Sequence, residues 1–383
     1  MKYAEAILRK PEVMGTRAEQ VVVDLGQRSY TVYIAPDLLK DQESAGLTPL
    51  SRFVHEKKAL LVTDSNLAKL YADQVLAMIQ AAGASSAAIH TIPAGEEEKT
   101  FATVEGICRK AAQLGLDRHS VILSLGGGVT SDLAGFAASV YMRGIDFISI
   151  PSSLLAMIDA GIGGKTGADL PEGKNLIGTF WQPKTVLMDV TFLKSLPMSE
   201  IRCGCAELVK HAILFDSELF QLLEETIADL MVLKDPAQAA RIIARSCHLK
   251  AVVVSGDERE SGRRALLNFG HSFGHAIEKL LHFRMSHGDA VSIGMAMATS
   301  LAVDLRLMKE NDAVRIRKLL TDCGLPLTCQ GLQPADILEA MRGDKKNRNG
   351  KLRLVIPRGI GKAEVQEGLP EDKILAAIGA NCD

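Results

Sequence analysis

Aromatic side chains are scarce: Phe, Tyr and Trp make up 4% of the 383 residues, and Trp occurs once. Together with the lack of any Gly/Pro low-complexity tract, this argues against a β-sandwich or a disordered scaffold. Net charge is nearly absent as well, because 44 Lys and Arg stand against 46 Asp and Glu, a formal −2. A chain whose main business is coating nucleic acid or an anionic membrane carries a positive excess, so the balance argues against both roles and any basic site must be local. No window offers the roughly 18 uninterrupted apolar residues of a membrane span. The longest apolar stretch, 290–303, holds serines, a glycine and a threonine and reads as a buried helix. The opening MKYAEAILRKPEV breaks its apolar residues with charges and does not resemble a targeting segment. The seven cysteines, Cys108, Cys203, Cys205, Cys247, Cys323, Cys329 and Cys382, form an odd set without a CxxC pair. Neither a disulfide framework nor a zinc ribbon follows, and a reducing cytoplasm fits.

What is present is ample material for burial, with 47% apolar residues and 33 glycines. At about 150 residues per domain the length implies roughly two domains. VVVDL (21–25) and TVYIA (31–35) flank a turn and read as a hairpin. ALLVTD, AAIHTI, VILSL, FISIP and TVLMD follow as strands, with amphipathic stretches such as 66–83 and 101–115 between them. Apolar strands joined by helical crossovers imply an α/β domain with a parallel sheet covered on both faces, assigned here to residues 1–190. Beyond it, 199–214, 217–233, 236–254, 266–281, 289–308, 312–323 and 335–342 carry helical periodicity, so 191–383 is expected to be mostly α-helical. KLRLVIPR and GIGKAEV restore a late hairpin. Ligands of open α/β sheets bind beyond the carboxyl ends of the strands, which places the expected active site in the cleft between the two parts.

Several constellations carry chemistry. Gly126, Gly127 and Gly128 follow the strand VILSL and open a small-residue helix, where bare backbone amides can approach a pyrophosphate. A tight turn is the plainer reading. Asp64 and Asn66, at an earlier strand end, suit ribose hydroxyls or a helix cap. Glu96 and Lys99 in GEEEKT read on spacing alone as a solvated charge cluster. DAGIGGKTG ends like a phosphate loop, but Asp159 stands where that motif needs glycine, so the match fails. Asp159, Lys165, Lys174 and Asn175 remain concentrated in an expected loop, a set suited to phosphate or carboxylate.

The strongest local signal is NFGHSFGHAIE. His271 and His275 lie one helical turn apart, His282 and His287 follow, and nine histidines in the whole chain make this cluster unusual. It points to a metal or proton-transfer site. Glu207, in the apolar helical stretch GCAELVKHAIL with Lys210 a turn away, is the best carboxylate ligand; Cys203 and Cys205 are alternatives. Lys250, Arg264 and Asn268 form a second polar group, with Arg264 and Asn268 placed on the same segment as His271. Lys345 and Lys346 lie in a basic turn that is exposed by default.

These residues resemble the 3-dehydroquinate synthases and their sugar phosphate cyclase relatives, from VVVDLGQRSY to GIGKAEV. The likeness rests on GGGVTSDLAGFAASVYMRG, DAGIGGKTGADLPEGKNLIGTFWQP, CAELVKHAI, RALLNFGHSFGHAIE and HGDAVSIGM in that order. It implies that Glu207, His271 and His287 bind Zn2+, with Co2+ as a substitute. It implies that Asp64, Asn66, Glu96, Lys99, Gly127, Gly128, Asp132, Ser152, Ser153, Asp159, Lys165 and Lys174 lie around NAD. Lys165, Asn175, Lys210, Lys250, Arg264, Asn268 and His275 take catalytic positions, and Asp159, Lys174, Arg143 and one of Lys345 and Lys346 contact substrate. Arg143 matches a residue that reaches the neighbouring subunit's site, which implies a homodimer. Ser131, Ser152, Ser153, Ala160, Gly161 and His211 depart from the usual residues.

The implied reaction turns 3-deoxy-D-arabino-heptulosonate 7-phosphate into 3-dehydroquinate and phosphate, a step of the shikimate pathway toward aromatic amino acids. Transient oxidation by NAD precedes phosphate elimination, re-reduction, ring opening and aldol closure. Retention of Arg264, Leu267 and Asn268 favours the carboxylate-bearing substrate over those of other sugar phosphate cyclases. A metal-dependent polyol dehydrogenase is the competing enzyme class, and it would need fewer anion-binding residues.

Overall fold

The computed structural model describes residues 18–40, 44–260, 262–342 and 352–382. The chain divides into two compact units: residues 1–196 with 235–255, and residues 197–234 with 256–383.

The first unit is built on a seven-stranded sheet. Its strands are β1 (Glu19–Val23), β2 (Tyr30–Ala35), β3 (Lys58–Asp64), β4 (Ser86–Ile92), β5 (Val121–Gly126), β6 (Asp146–Pro151) and β9 (Thr185–Asp189). They lie in the order β1-β2-β9-β6-β5-β3-β4; only β1 and β2 pair antiparallel, in the expected hairpin. Alternate residues of one strand serve opposite faces. Leu61 and Leu123 pack with Leu50 and Val54 of α1 (Leu47–Val54) and Val75, Met78 and Ile79 of α2 (Asp73–Ala81). Leu60 and Ile122 pack with Val104 and Ile107 of α3 (Phe101–Gln113) and Leu133 and Ala137 of α4 (Gly128–Val140). Burial on both faces is why these strands read as continuous apolar runs rather than alternating ones.

One expectation for this unit fails. The stretch 165–180, read as loop, is a hairpin of β7 (Lys165–Leu170) and β8 (Gly173–Phe180). Its glycines and lysines hide the strand signal, and pairing comes from the backbone, with Ala168 and Ile177 packed on the core. Lys165 therefore opens a strand, whereas a phosphate loop would lead into a helix.

The second unit holds α5 (Met198–Phe215) and α6 (Ser217–Met231). The next helix, α7 (Pro236–Gly256), groups with the first unit through residues 235–255, which amends a simple division of the chain at 190. Ser255 Oγ accepts the Asp24 N–H at 3.1 Å, and the Cys247 thiol donates to Met157 O at 3.4 Å. The second unit continues with α8 (His271–Leu280), α9 (His287–Asp304), α10 (Glu310–Asp322), α11 (Pro334–Arg342), hairpin strands β10 (Arg353–Pro357) and β11 (Ala363–Glu367), and α12 (Glu371–Gly379). The weakly amphipathic stretch 290–303 lies in α9, buried on nearly every side, as a helix apolar all round must be. Among the described residues no helix is long and apolar enough to cross a membrane.

The helix expected over 266–281 is interrupted. Gly270 adopts φ 77, and a Cβ there would lie 2.7 Å from the Val291 carbonyl oxygen. A left-handed residue ends the 3-10 turn Arg263–Asn268 and restarts the chain as α8, so Asn268 and His271 stand on different elements.

Candidate active site

Three side chains of the second unit converge. Glu207 of α5, His271 at the start of α8 and His287 at the start of α9 offer ligand atoms all within 4.8 Å of one another. Glu207 is fully buried, yet neither of its carboxylate oxygens receives a hydrogen bond. Lys210, a turn further along α5 and 1% exposed, forms an ion pair with Oε2.

The imidazoles are aimed. His271 Nδ1 lies 3.0 Å from the Phe269 carbonyl oxygen, and His287 Nδ1 lies 3.3 and 3.4 Å from the Glu278 carboxylate oxygens. A carbonyl or carboxylate can only accept, so each ring carries its proton on Nδ1 and turns the Nε2 lone pair outward. The two Nε2 atoms stand 3.5 and 3.9 Å from Glu207 Oε1. Burial works against protonation of His287, but the hydrogen bond and charge of Glu278, with Glu207 behind, raise its pKa above the ordinary imidazole value.

An anionic oxygen and two neutral imidazole nitrogens form the His2Glu set that catalytic zinc takes with one position left open. Lys210 balances the charge at Oε2, whereas Oε1, the oxygen that faces both Nε2 atoms, receives no hydrogen bond and is the one left to ligate a cation. Glu278 was missed from sequence, although it lies seven residues after His271 on the same helical face. The support it gives follows the carboxylate–histidine–metal pattern, so Glu278→Gln is expected to weaken metal affinity by about 10–100-fold, read by competition with a chelator.

A close approach permits this convergence. A Cβ on Gly288 would lie 2.4 Å from Cys203 Cα, one helical turn before Glu207. Gly288→Ala should therefore push the first turn of α9 from α5, costing about 1–3 kcal/mol and lowering metal affinity together. Unchanged melting and metal titration would remove this packing from the account.

The neighbouring residues sort themselves. The His275 ring centroid is 5.3 Å from that of His271 and 6.1 Å from that of His287. His282, counted with the cluster from sequence, is exposed beyond the end of α8 at φ 50. Cys203 and Cys205 are buried, Cys205 against Cys323, and neither joins a candidate metal-ligand group among the described residues. Arg264, 2% exposed, donates from Nη1 to the Glu258 carbonyl at 2.6 Å, and Asn268 Nδ2 donates to Glu260 Oε1 at 3.2 Å. Lys345 and Lys346 lie outside the described residues.

In the first unit the named residues gather at the carboxyl ends of the strands. Asp64 ends β3, Glu96 and Lys99 follow β4, Gly127 and Gly128 follow β5, and Ser152 and Ser153 follow β6. The sheet runs outward from β3 to β4 on one side and to β5 on the other, a topological switch point at which open α/β sheets bind ligands. Asp64 Oδ1 accepts the Asn66 and Leu67 amides at 2.9 and 3.1 Å as a helix cap. Thr130 of α4 donates to its Oδ2 at 3.5 Å, and Asn66 is exposed. Ser152 and Ser153 are buried; Ser153 Oγ accepts the Ala156 amide at 3.2 Å. Packing requires glycine at 126, where a Cβ would come within 2.4 Å of Thr130. At 127 and 128 the nearest atoms are 3.6 and 3.4 Å away.

Lys99, read as a solvated charge, is 5% exposed. Its ammonium reaches Asp132 of α4 at 2.6 Å and Asn175 Oδ1 of β8 at 2.7 Å, and its carbonyl accepts the Asp169 amide at 2.7 Å. Burial opposes its charge, but Asp132, Glu96 and Asp169 together raise its pKa. Burial raises Asp132 to about 6 against the pull of Lys99. Asn175 sits at φ 54 with its amide on Asp169 Oδ1 at 2.6 Å, and Lys174 pairs with Glu96 at 3.3 Å. Lys250 of α7, 4% exposed, holds both the side chain and the carbonyl of Asp159. Arg143 is exposed at φ 69.

Residues 89–203 match the family model of the 3-dehydroquinate synthase N-terminal part, and residues 204–347 that of the C-terminal part. The chain belongs to the 3-dehydroquinate synthase family. A 3-dehydroquinate synthase of Picosynechococcus sp. is 44% identical over 360 residues, covering 93% of this chain and 97% of that one. Among solved structures, a 2-epi-5-epi-valiolone synthase from Streptomyces hygroscopicus subsp. jinggangensis with NAD+ and Zn2+ bound is 32% identical with a TM-score of 0.84. It covers 93% of this chain and 98% of its own. A 2-deoxy-scyllo-inosose synthase complexed with carbaglucose-6-phosphate, NAD+ and Co2+ is 26% identical with a TM-score of 0.82, covering 95% of this chain and 100% of its own. Glu207, His271 and His287 all lie within the C-terminal match.

Proposed function

We propose that this chain converts 3-deoxy-D-arabino-heptulosonate 7-phosphate into 3-dehydroquinate and phosphate. The observation that carries the reading is the buried Glu207 carboxylate, without hydrogen bonds and faced by two imidazole Nε2 atoms held in the ligating tautomer. Those three residues would hold Zn2+ or Co2+, which supplies Lewis-acid polarisation of substrate hydroxyls worth several kcal/mol. NAD would lie along the carboxyl ends of β3, β4, β5 and β6, and supplies a transient oxidation that makes the hydrogen next to the new ketone acidic.

The chain's own residues do the rest by binding and orientation. Gly127 and Gly128 leave the first amides of α4 uncovered, and the helix N-terminus favours a pyrophosphate there. Asp64 Oδ2, which accepts from Thr130 at 3.5 Å, has a lone pair left for a ribose hydroxyl, with Asn66, Glu96, Asp132, Ser152 and Ser153 around the dinucleotide. Lys165, Lys174, Asn175, Lys210, Lys250, Arg264 and Asn268 hold carboxylate and phosphate, with Asp159 orienting Lys250. His275, beside the triad but outside it, passes protons. No strong protein base is required, because the departing phosphate takes the proton for its own elimination.

Lys99, Lys210, Lys250 and Arg264 are each 5% exposed or less. Each has an acceptor within the chain, and this concentration of basic residues in a near-neutral protein suits a multiply anionic substrate better than an uncharged polyol. Arg143, exposed on a left-handed turn beside the exposed Met142 and Val140, is assigned to a homodimer contact in which it reaches the partner's substrate. The seven free thiols accord with a cytoplasmic location.

The test is incubation of the heptulosonate phosphate with protein, NAD and Zn2+, with the product identified by NMR. The expected outcome is the carbocycle and one phosphate, without net NADH. Accumulating NADH, or preferential turnover of a sugar phosphate that lacks the carboxylate, would overturn the assignment.

A further inference from the structure

We propose that Cys329 and Cys382 form a redox modification site, at which a low-molecular-weight disulfide such as oxidised glutathione converts two thiols into an intramolecular disulfide. Their Sγ atoms are 3.3 Å apart although the residues are 53 positions apart in the chain. The backbone holds them there. Cys329 and Cys382 form an isolated β-bridge, and the Cys329 amide donates to the Asn381 carbonyl at 3.0 Å. Adjacent strands run about 4.8 Å apart, within the roughly 4.4–6.8 Å that separates the Cα atoms of a disulfide. Closing the sulfurs to about 2.05 Å asks for side-chain rotation and no change of fold.

The partner segment is anchored independently of the sulfurs. Asn381 is fully buried; its Nδ2 donates to Ser300 Oγ at 3.1 Å and to the Ala377 carbonyl at 2.8 Å, and its Oδ1 accepts from Arg317 at 3.2 Å. Cys382, immediately after it, is therefore presented to Cys329 in a fixed place.

Access differs between the two thiols in a way that orders the chemistry. Cys382 is partly exposed and Cys329 is 1% exposed. The Cys382 thiolate attacks one sulfur of oxidised glutathione, releasing one reduced glutathione and forming a mixed disulfide. Cys329, having lost its proton to solvent, then attacks the Cys382 sulfur and releases the second reduced glutathione. Both electrons go to the glutathione disulfide, and two protons balance the two released thiols. A second thiol pair in the same unit provides an internal control: Cys205 and Cys323 are hydrogen-bonded, but both are fully buried and closed to an oxidant.

The experiment treats the full chain, undenatured, with a glutathione buffer rich in the oxidised form, then alkylates it after denaturation and maps peptides by mass. The expected result is a species lighter by two hydrogens, with Cys329 linked to Cys382 and five cysteines alkylated, and with a higher Tm that a reductant reverses. Cys329→Ser should stop at a glutathione adduct on Cys382, and Cys382→Ser should yield neither the link nor an adduct on Cys329. Seven alkylated cysteines in the treated wild type, a wild-type adduct that persists on Cys382, or a link mapped to Cys205 and Cys323 would each overturn the site.

Discussion

Replacing His271 by alanine is expected to leave a folded protein that retains NAD affinity but loses its metal and, with it, about three orders of magnitude in kcat. The size follows from the Lewis-acid contribution of several kcal/mol, at about 1.4 kcal/mol per tenfold in rate. The fold should survive because the ring stands at the first turn of α8, with its Nδ1 on the Phe269 carbonyl and other imidazoles beside it, rather than in an apolar core. NAD affinity should survive because the residues assigned to the dinucleotide belong to the first unit, whereas His271 belongs to the second. The readouts are metal content after dialysis, NAD titration and turnover with added Zn2+. A variant that kept both its metal and its rate would remove the triad from the mechanism. Chelation of the wild type should reproduce the loss and Zn2+ or Co2+ should reverse it; in the His271 variant, added metal should not.

The second large effect concerns Lys99. Lys99→Met should lower stability by about 3–5 kcal/mol near pH 8, because removing one partner of a buried ion pair leaves the other uncompensated. For a domain of this size that is a fall in Tm of about 6–20 °C. The cost should depend on pH with a defined sign. Asp132 titrates at about 6 in the folded protein against 3.8 ordinarily, so its proton favours the folded state. A group with a raised folded pKa contributes fully below its unfolded value and loses that contribution as pH rises through the folded one. Below about 6 Asp132 takes up a proton and needs no cation. The wild-type-to-variant difference should thus be small at pH 5 and large at pH 8. A pH-independent difference would mean that Lys99 acts by packing alone. Because Asn175 also loses its partner, substrate KM should rise in the variant even where it remains folded.

Lys99 also shows where sequence reading stops. In GEEEKT it stands among three glutamates, and local composition says solvent. Its burial is created by β8 and α4, which begin more than 25 residues further along the chain and bring Asn175 and Asp132 to it. The hairpin of β7 and β8 was hidden for a related reason: its strands are held by backbone pairing, and side-chain periodicity carries no trace of that. Glu278, by contrast, was legible in principle, since helical spacing alone puts it on the face of His271 and His275.

By itself the sequence determined the strands of the main sheet, the succession of helices after residue 190 and the chemical identity of the candidate metal donors. Those follow from local periodicity and from residue types that have few other uses in that density. Tertiary structure decided which donors meet, which nitrogen of each imidazole faces the carboxylate, and which charges are withdrawn from water. The approach of α9 to α5 at Gly288, the break at Gly270 and the return of α7 to the first unit depend on packing between segments far apart in the chain. Such packing is a property of surfaces that exist only once the chain has folded, so no window of sequence contains it.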